Sequence, residues 1–152
     1  MIESDYIQEN NAGELNTNEL VLQFSITTSD SAFHLARVKE VVLSISKYNE
    51  DNWPNDQQWE RILPKWFVEK IKSHSLDELN DNSTLLWDYG SWLDAMKFRG
   101  WQWLSSKIYI DKFIINLMPL TSPFSVNPLE YVIFESGVSL SKIIFSEIRY
   151  FA

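Results

Sequence analysis

The central stretch, residues 84 to 120, changes its hydrophobic period from helical to extended. Apolar positions first recur at three- and four-residue steps, which predicts one face of a helix. These positions are Leu86, Tyr89, Leu93 and Met96. Gly100 stands where such a helix would end, because a left-handed residue is favoured at that point. After it, Trp101 and Trp103 alternate with a polar residue, and this pattern predicts a strand.

The second half of this stretch predicts a hairpin that continues the strand. The apolar alternation extends to Ile110, Asp111-Lys112 offers a turn, and an apolar run from 113 to 118 predicts the partner strand. A helix that leads into a hairpin, with tryptophans at the joint, is typical of the centre of an α+β core. We therefore expect Trp101 and Trp103 to be packing residues rather than contact residues.

The residues before the central stretch predict one strand and several helices. Apolar and polar residues alternate from 20 to 26, which predicts a strand, and residues 32–48 repeat apolar positions with helical spacing. The β-branched residues over 41–45 leave a strand as the alternative there. A proline interrupts the next helical region, over 59–71. Residues 75–78 have the spacing of a capping box, which predicts one more helical turn.

The residues after the central stretch predict a helix and a closing strand. Residues 119–128 contain three prolines and predict an irregular connection. Asn127-Pro128 then begins a helix that we expect to end near Gly137, and residues 142–151 are rich in β-branched and aromatic side chains. The whole chain predicts an α+β fold, in which about four helices pack with a small, mostly antiparallel sheet of about four strands.

The length and composition of the chain predict one domain with a substantial core. Of its 152 residues, 45% are hydrophobic and 14% aromatic, which argues against disorder. Residues 1–18 are acidic and rich in asparagine, so we expect a flexible segment there and a single domain over 19–152. The acidic start lacks the pattern of a secretion signal, and no apolar run approaches the ~20 residues that span a bilayer. We expect a cytoplasmic protein that does not enter a membrane.

The sequence offers few residues for catalysis or for metal binding. It has no cysteine, so it can form no disulfide, thiolate zinc site or cysteine nucleophile. His34 and His74 have no second histidine at ligand spacing, and we interpret them as surface or hydrogen-bonded residues. The four glycines are isolated from one another, so no phosphate-binding loop is present. We therefore expect no metal and no cofactor.

One pair of acids leaves an enzymatic alternative open. Asp88 and Asp94 flank Trp92 and could face one cleft, as the two carboxylates of a glycoside hydrolase do beside a sugar-stacking indole. The simpler interpretation, which we favour, is that the acids cap helices and the tryptophan packs in the core.

The charges are distributed unevenly along the chain. The formal net charge is −8, and no lysine or arginine occurs from Met1 to Ala36 or from Ser73 to Met96. Such tracts are either a solvated face or a surface that attracts a basic protein and repels nucleic acid and anionic membranes. The second tract supplies the predicted contact residues for a basic partner, with Tyr89 as an exposed anchor. They are Asp77, Glu78, Asp81, Asp88 and Tyr89.

The segment from Gly100 to Gly137 resembles the C-terminal half of small immunity proteins from bacterial polymorphic-toxin and contact-dependent growth inhibition systems. In that pattern a tryptophan pair enters a hairpin, a proline-containing connection follows, and a short helix ends at a glycine. The residues that carry the resemblance are Trp101, Trp103, Pro123, Pro128, Leu129 and Gly137. The match covers about a quarter of the chain, and no functional residue is carried over from that family.

The resemblance implies a cytoplasmic inhibitor that binds one cognate toxin, often a nuclease, and has no enzymatic activity. A nuclease holds phosphate with basic side chains, so an acidic protein can occupy the same surface. Two other functions stay open. One is a small carbohydrate-active hydrolase that uses Asp88 and Asp94 beside Trp92, and the other is a phage or regulatory adaptor for a different basic protein.

Overall fold

Four antiparallel strands form one sheet at the centre of the fold. The computed structural model describes residues 2–9, 20–82 and 85–149. The strands are β1 (Leu20–Thr27), β2 (Trp101–Ile108), β3 (Lys112–Pro119) and β4 (Ile143–Arg149). Their order in the sheet is β2-β3-β1-β4, and each pairing is antiparallel. The sheet that the alternating segments predict is confirmed.

Seven α-helices accompany the sheet in the described residues, where the sequence predicts about four. They are α1 (Glu3–Gln8), α2 (Ser31–Ser46), α3 (Asp56–Ile62), α4 (Lys65–Lys72), α5 (Leu76–Asp81), α6 (Tyr89–Lys97) and α7 (Asn127–Glu135). All except α2 are short, and a periodic pattern over so few residues is hard to separate from a turn. The result is the α+β single domain that the sequence predicts. No helix of this described part has the length and apolar character that a membrane span requires.

One face of the sheet carries the core. Alternate residues of β1 are buried and stand opposite buried residues of β3; the pairs are Leu22 with Leu117, Phe24 with Ile115, and Ile26 with Phe113. Helix α2 lies over β2 and β3. It buries the stripe that its helical spacing predicts, which comprises Leu35, Val38, Val42 and Ile45. Residues 41–45 are helical, so the strand alternative for them is wrong.

Tryptophans tie one end of the sheet to α6 and α7. Trp101 and Trp103 are 1% and 0% exposed, which confirms their predicted role in packing. Trp101 Nε1 donates a hydrogen bond to the backbone oxygen of Ser125 at 2.5 Å. Trp92 Nε1, from α6, donates to the backbone oxygen of Pro128 at 3.1 Å. Because both acceptors lie at the entry to α7, the two indoles fix that helix relative to the sheet.

Helix α1 lies against the outer edge of β2. Glu3 Oε1 accepts a hydrogen bond from Arg99 Nη2 at 2.7 Å, and Glu3 Oε2 accepts the backbone N–H of Trp103 at 2.6 Å. Both members of the Glu3–Arg99 ion pair are largely shielded from solvent. Ile7, in the middle of α1, is completely buried. These contacts make α1 part of the domain.

This helix corrects the prediction of a flexible segment over residues 1–18. The local sequence pattern does not predict α1. The residue that holds Glu3 in place is Arg99, which lies 96 positions further along the chain. The ordered domain therefore includes residues 3–8 and does not begin at residue 19. Residues 10–18 of the predicted segment lie outside the described residues.

We expect Gly100→Ala to destabilise the protein. Gly100 has a φ of +74°, and a Cβ atom there would lie 2.5 Å from Thr121 Oγ1 and 3.0 Å from the backbone oxygen of Pro123. The left-handed backbone and the close contacts together should lower the free energy of unfolding by about 2 kcal/mol or more. Urea unfolding followed by tryptophan fluorescence measures this change.

The matched control is Gly90→Ala. Gly90 lies in α6, and its added Cβ would meet only Asp56 Oδ2 at 3.6 Å and Asp88 Oδ1 at 3.8 Å, which are ordinary contacts. Because alanine is the better helix former, this variant should keep or raise the free energy of unfolding, by up to about 1 kcal/mol. Equal destabilisation by the two substitutions would contradict the role assigned to the left-handed backbone of Gly100.

Candidate protein-binding surface

Helix α5 carries three of the acids that the sequence singles out. It begins with the predicted capping box, in which the Glu78 N–H donates to Ser75 Oγ at 3.1 Å and the Ser75 N–H donates to Glu78 Oε1 at 3.2 Å. These bonds satisfy amides at the start of the helix and fix the residue at which it begins. No residue of α5 is buried. Asp77, Glu78 and Asp81 are therefore held on an exposed helix with a defined start.

His74 anchors this helix to α7. Its Nε2 lies 2.7 Å from Glu135 Oε2, and its Nδ1 lies 3.4 Å from Glu78 Oε2. The Tyr131 hydroxyl donates to the same Glu135 oxygen at 2.6 Å. Burial alone lowers the pKa of His74, but the hydrogen bonds and charges of Glu135 and Glu78 outweigh burial and hold this pKa above its ordinary value. His74 is thus hydrogen-bonded, as the sequence predicts, and Glu78 is partly engaged within the protein.

Asp88 caps helix α6. Its Oδ1 accepts the backbone N–H of Ser91 at 3.0 Å, and hydrogen bonding to Ser91 keeps the pKa of Asp88 below its ordinary value. Asp88 and Asp94 are both exposed. Trp92, which the hydrolase alternative requires as a sugar platform, is completely buried. The capping interpretation of Asp88 is therefore confirmed, and the sugar-stacking role of Trp92 is wrong.

Tyr89 is not the exposed anchor that the sequence predicts. The side chain is half-buried, its hydroxyl donates to the backbone oxygen of Asp56 at 2.7 Å, and Lys72 Nζ lies 4.9 Å from the ring centroid. Burial, followed by the charges of Glu60 and Asp56, raises the pKa of Tyr89. Both its hydroxyl and its ring are engaged by the protein. Tyr89 is therefore less exposed than the sequence predicts, because the position of α3 beside α6 cannot be read from local spacing.

A groove of about 680 Å³ separates α5 from the segment that leads into α6. Its lining residues are Leu76, Leu79, Asn80, Leu86, Trp87, Asp88 and Asn127. Leu76 is 73% exposed and Trp87 is half-buried. Neither is predicted as a contact residue from the sequence. The two leucines at helical spacing on an otherwise acidic helix could have indicated one wall of the groove. The opposite wall comes from a separate segment, so the sequence does not show that a groove forms.

One acid lines this groove, and two more lie elsewhere on the exposed surface of α5. Asp77 and Asp81 are four residues apart, so they lie on one side of α5, and both are exposed. Within the described chain, neither has a hydrogen-bond or ion-pair partner for its side chain. Asp88 lies on the opposite wall. Lys72, the last cation before the acidic tract, is paired with Glu60. The groove therefore has one acid, Asp88, at its rim and lies within an acidic part of the surface.

The predicted contact residues differ in how available they are. Asp77, Asp81 and Asp88 are exposed, and of these Asp88 lines the groove. Glu78 is shared with His74, and Tyr89 contacts α3 and α4. Glu3 belongs to the first acidic tract, and it adds no free charge to this surface because it is paired with Arg99. Across the described ranges, no group of three histidine, aspartate or glutamate side chains is arranged to hold a metal ion.

Comparison with known proteins adds no identification. No protein-family model, no curated protein and no solved structure matches this chain. The resemblance to immunity proteins is therefore a hypothesis, and the function has to be inferred from the surface itself.

We expect the stabilising effect of His74 to decrease as the pH rises. Because the pKa of His74 is raised on folding, protonation stabilises the fold fully below the ordinary pKa of 6.5, and this contribution is lost as the pH rises through the folded-state pKa. Urea unfolding of the wild type and of His74→Gln at about pH 5.5 and about pH 8.5 measures the effect. The wild type should exceed the variant by more at the lower pH. A difference that is independent of pH would contradict the raised pKa.

Proposed function

We propose that this protein is an immunity protein that binds a bacterial toxin, of the nuclease type, and neutralises it. The observation that carries the proposal is the acidic surface of α5 and of the start of α6. There, Asp77, Asp81 and Asp88 are exposed, and no lysine or arginine occurs from residue 73 to residue 96. Binding alone would inhibit the toxin, so no catalytic group is needed. The protein would act in the cytoplasm of the cell that it protects.

Electrostatic attraction explains how such a surface selects its partner. A nuclease binds the phosphates of nucleic acid with lysine and arginine side chains. An acidic protein surface attracts the same side chains and competes with the nucleic acid for them. Complementary charge also raises the rate of encounter, by ~10- to 1,000-fold in steered complexes. The net charge of −8 adds a long-range attraction to this local one.

The fixed positions of the acids favour tight binding. The capping box at Ser75 sets the start of α5, and Asp88 is held by its own capping bond to Ser91. His74 links α5 to α7 through Glu135. A surface that is arranged before the partner arrives loses less conformational entropy when it binds. The exposed acids therefore act as a preorganised set.

We expect the triple variant Asp77→Asn, Asp81→Asn, Asp88→Asn to bind the toxin more slowly. Asparagine keeps the size of the side chain and is also a good helix cap, so the fold is retained while three charges are removed. The association rate with the purified product of the neighbouring toxin gene should fall by about 10-fold at low ionic strength, and it should depend less on salt. Stopped-flow tryptophan fluorescence measures the rate, and co-expression with the toxin measures protection.

The control is the triple variant Glu40→Gln, Asp111→Asn, Glu147→Gln. It removes the same number of charges from exposed positions outside this surface, and it should slow binding by less than about 3-fold. Equal effects of the two triple variants would assign the attraction to net charge alone. Failure of the wild type to bind the neighbouring gene product would contradict the immunity function, and binding without protection would identify an adaptor instead.

A further inference from the structure

The apolar side of α5 is left open by the rest of the described chain. Leu76 and Leu79 are three residues apart, so they lie on one face of the helix, and both line the groove. Leu76 is 73% exposed, although leucine is among the residues that proteins most often bury. An amphipathic helix normally packs its apolar face on the core. Here that face lines an open groove, which is typical of a binding surface.

The opposite wall of the groove is also apolar, and it is held in place. The N–H groups of Leu85 and Leu86 both donate to the backbone oxygen of Asn82, at 3.0 and 2.8 Å, and these bonds attach this wall to the end of α5. Trp87 packs partly against the core and stays half-exposed. Its indole N–H has no acceptor among the described residues. A tryptophan with one packed side and a free donor is a common anchor for a bound protein.

The acids at and beside the groove set the charge of whatever occupies it. Asp88 lines the groove, Asp77 and Asp81 are exposed on the neighbouring helix α5, and all three favour lysine and arginine. A second copy of this chain would bring the same acids to the groove, and its net charge of −8 opposes that contact. Nucleic acid and anionic lipid are repelled for the same reason. A basic polypeptide segment is the occupant that satisfies both the charge of the rim and the apolar lining.

We propose that this groove binds a basic segment of the toxin that carries one or two large apolar side chains. The apolar side chains enter the groove between Leu76 and Trp87, one flanking lysine or arginine side chain pairs with Asp88, and others reach the exposed acids of α5. The groove volume of about 680 Å³ suits a few side chains rather than a whole domain. That the segment belongs to a toxin depends on the proposed function, whereas its chemistry depends on the groove alone.

A synthetic peptide tests the chemistry of the occupant without the toxin. The probe is a peptide of three helical turns with two leucines at helical spacing and lysines around them, and the comparison peptides replace the leucines by serine or the lysines by glutamate. The wild-type protein should bind the first peptide and neither of the others. On binding, the indole N–H resonance of Trp87, assigned by its absence from Trp87→Phe, should shift, and the resonance of the buried Trp92 should not.

The matched protein variants are Leu76→Ser and Ile110→Ser. Both remove an exposed apolar side chain: Leu76 is 73% exposed in the groove, and Ile110 is 94% exposed at the turn between β2 and β3. Neither substitution should therefore impair folding. Leu76→Ser should weaken binding of the leucine-lysine peptide by about 10-fold, because a buried leucine is lost from the complex. Ile110→Ser should leave the affinity unchanged. Equal affinities of Leu76→Ser and the wild type would overturn the proposal.

Toxin binding separates the failure of this proposal from the failure of the proposed function. If the wild type neutralises a toxin and Leu76→Ser does so with the same affinity, the groove proposal falls and the immunity function stands. If the peptide binds in the groove but no toxin is neutralised, the immunity function falls and the groove proposal stands. Sedimentation supplies the remaining outcome: a wild-type dimer that Leu76→Ser converts to a monomer would assign the groove to a second copy and overturn the proposal.

Discussion

Two indole hydrogen bonds hold the sheet, α6 and α7 in one arrangement. Trp101, on the edge strand β2, and Trp92, on α6, donate to backbone oxygens that are close together in sequence, at Ser125 and Pro128. Both indoles are buried, so these bonds are shielded from water and their loss would leave polar groups unsatisfied. The connection into α7 is irregular, and the Ser125 N–H also donates to the backbone oxygen of Arg99 at 2.9 Å. The two indole bonds add to such backbone contacts in positioning it.

The acidic surface depends on this arrangement through a short chain of contacts. Glu135 is 6% exposed near the end of α7, and it accepts hydrogen bonds from Tyr131 and from His74. His74 in turn contacts Glu78, which belongs to the capping box of α5. Because α5 buries none of its own residues, it gains little from the core and relies on these polar contacts. The helix that carries Asp77 and Asp81 is thus positioned by α7, which is far from it in sequence.

The local features of the fold could be predicted from the sequence because their causes are local. Alternating side chains identify β1 and β2, an apolar run identifies β3, and β-branched and aromatic residues identify β4. Helical spacing gives the buried face of α2, and the spacing of Ser75 and Glu78 gives the cap of α5. The errors arise where a distant residue decides. Arg99 fixes α1 from across the sequence, and Asp56 engages the hydroxyl of Tyr89, so neither α1 nor the burial of Tyr89 is visible in a local window.

The candidate site shows the same division between local and distant causes. The acids could be found from charge alone, since a tract without lysine or arginine is a property of the sequence. The groove could not be predicted from the sequence, because it forms only where the face of α5 that carries Leu76 lies opposite Trp87 and Asn127. Asn127, at which the sequence predicts the start of α7, is the first residue of that helix and also lines the groove.

The position of α1 also limits how the sheet can associate with other chains. Unpaired backbone groups on an edge strand can recruit a further strand, so a sheet with two free edges can grow into a fibre. In this protein Glu3 already accepts the N–H of Trp103 on β2, and α1 covers that edge, whereas β4 pairs with β1 alone among the described strands. A further strand could therefore pair with β2 only after α1 had left that edge. The helix thus opposes open-ended growth of the sheet through β2.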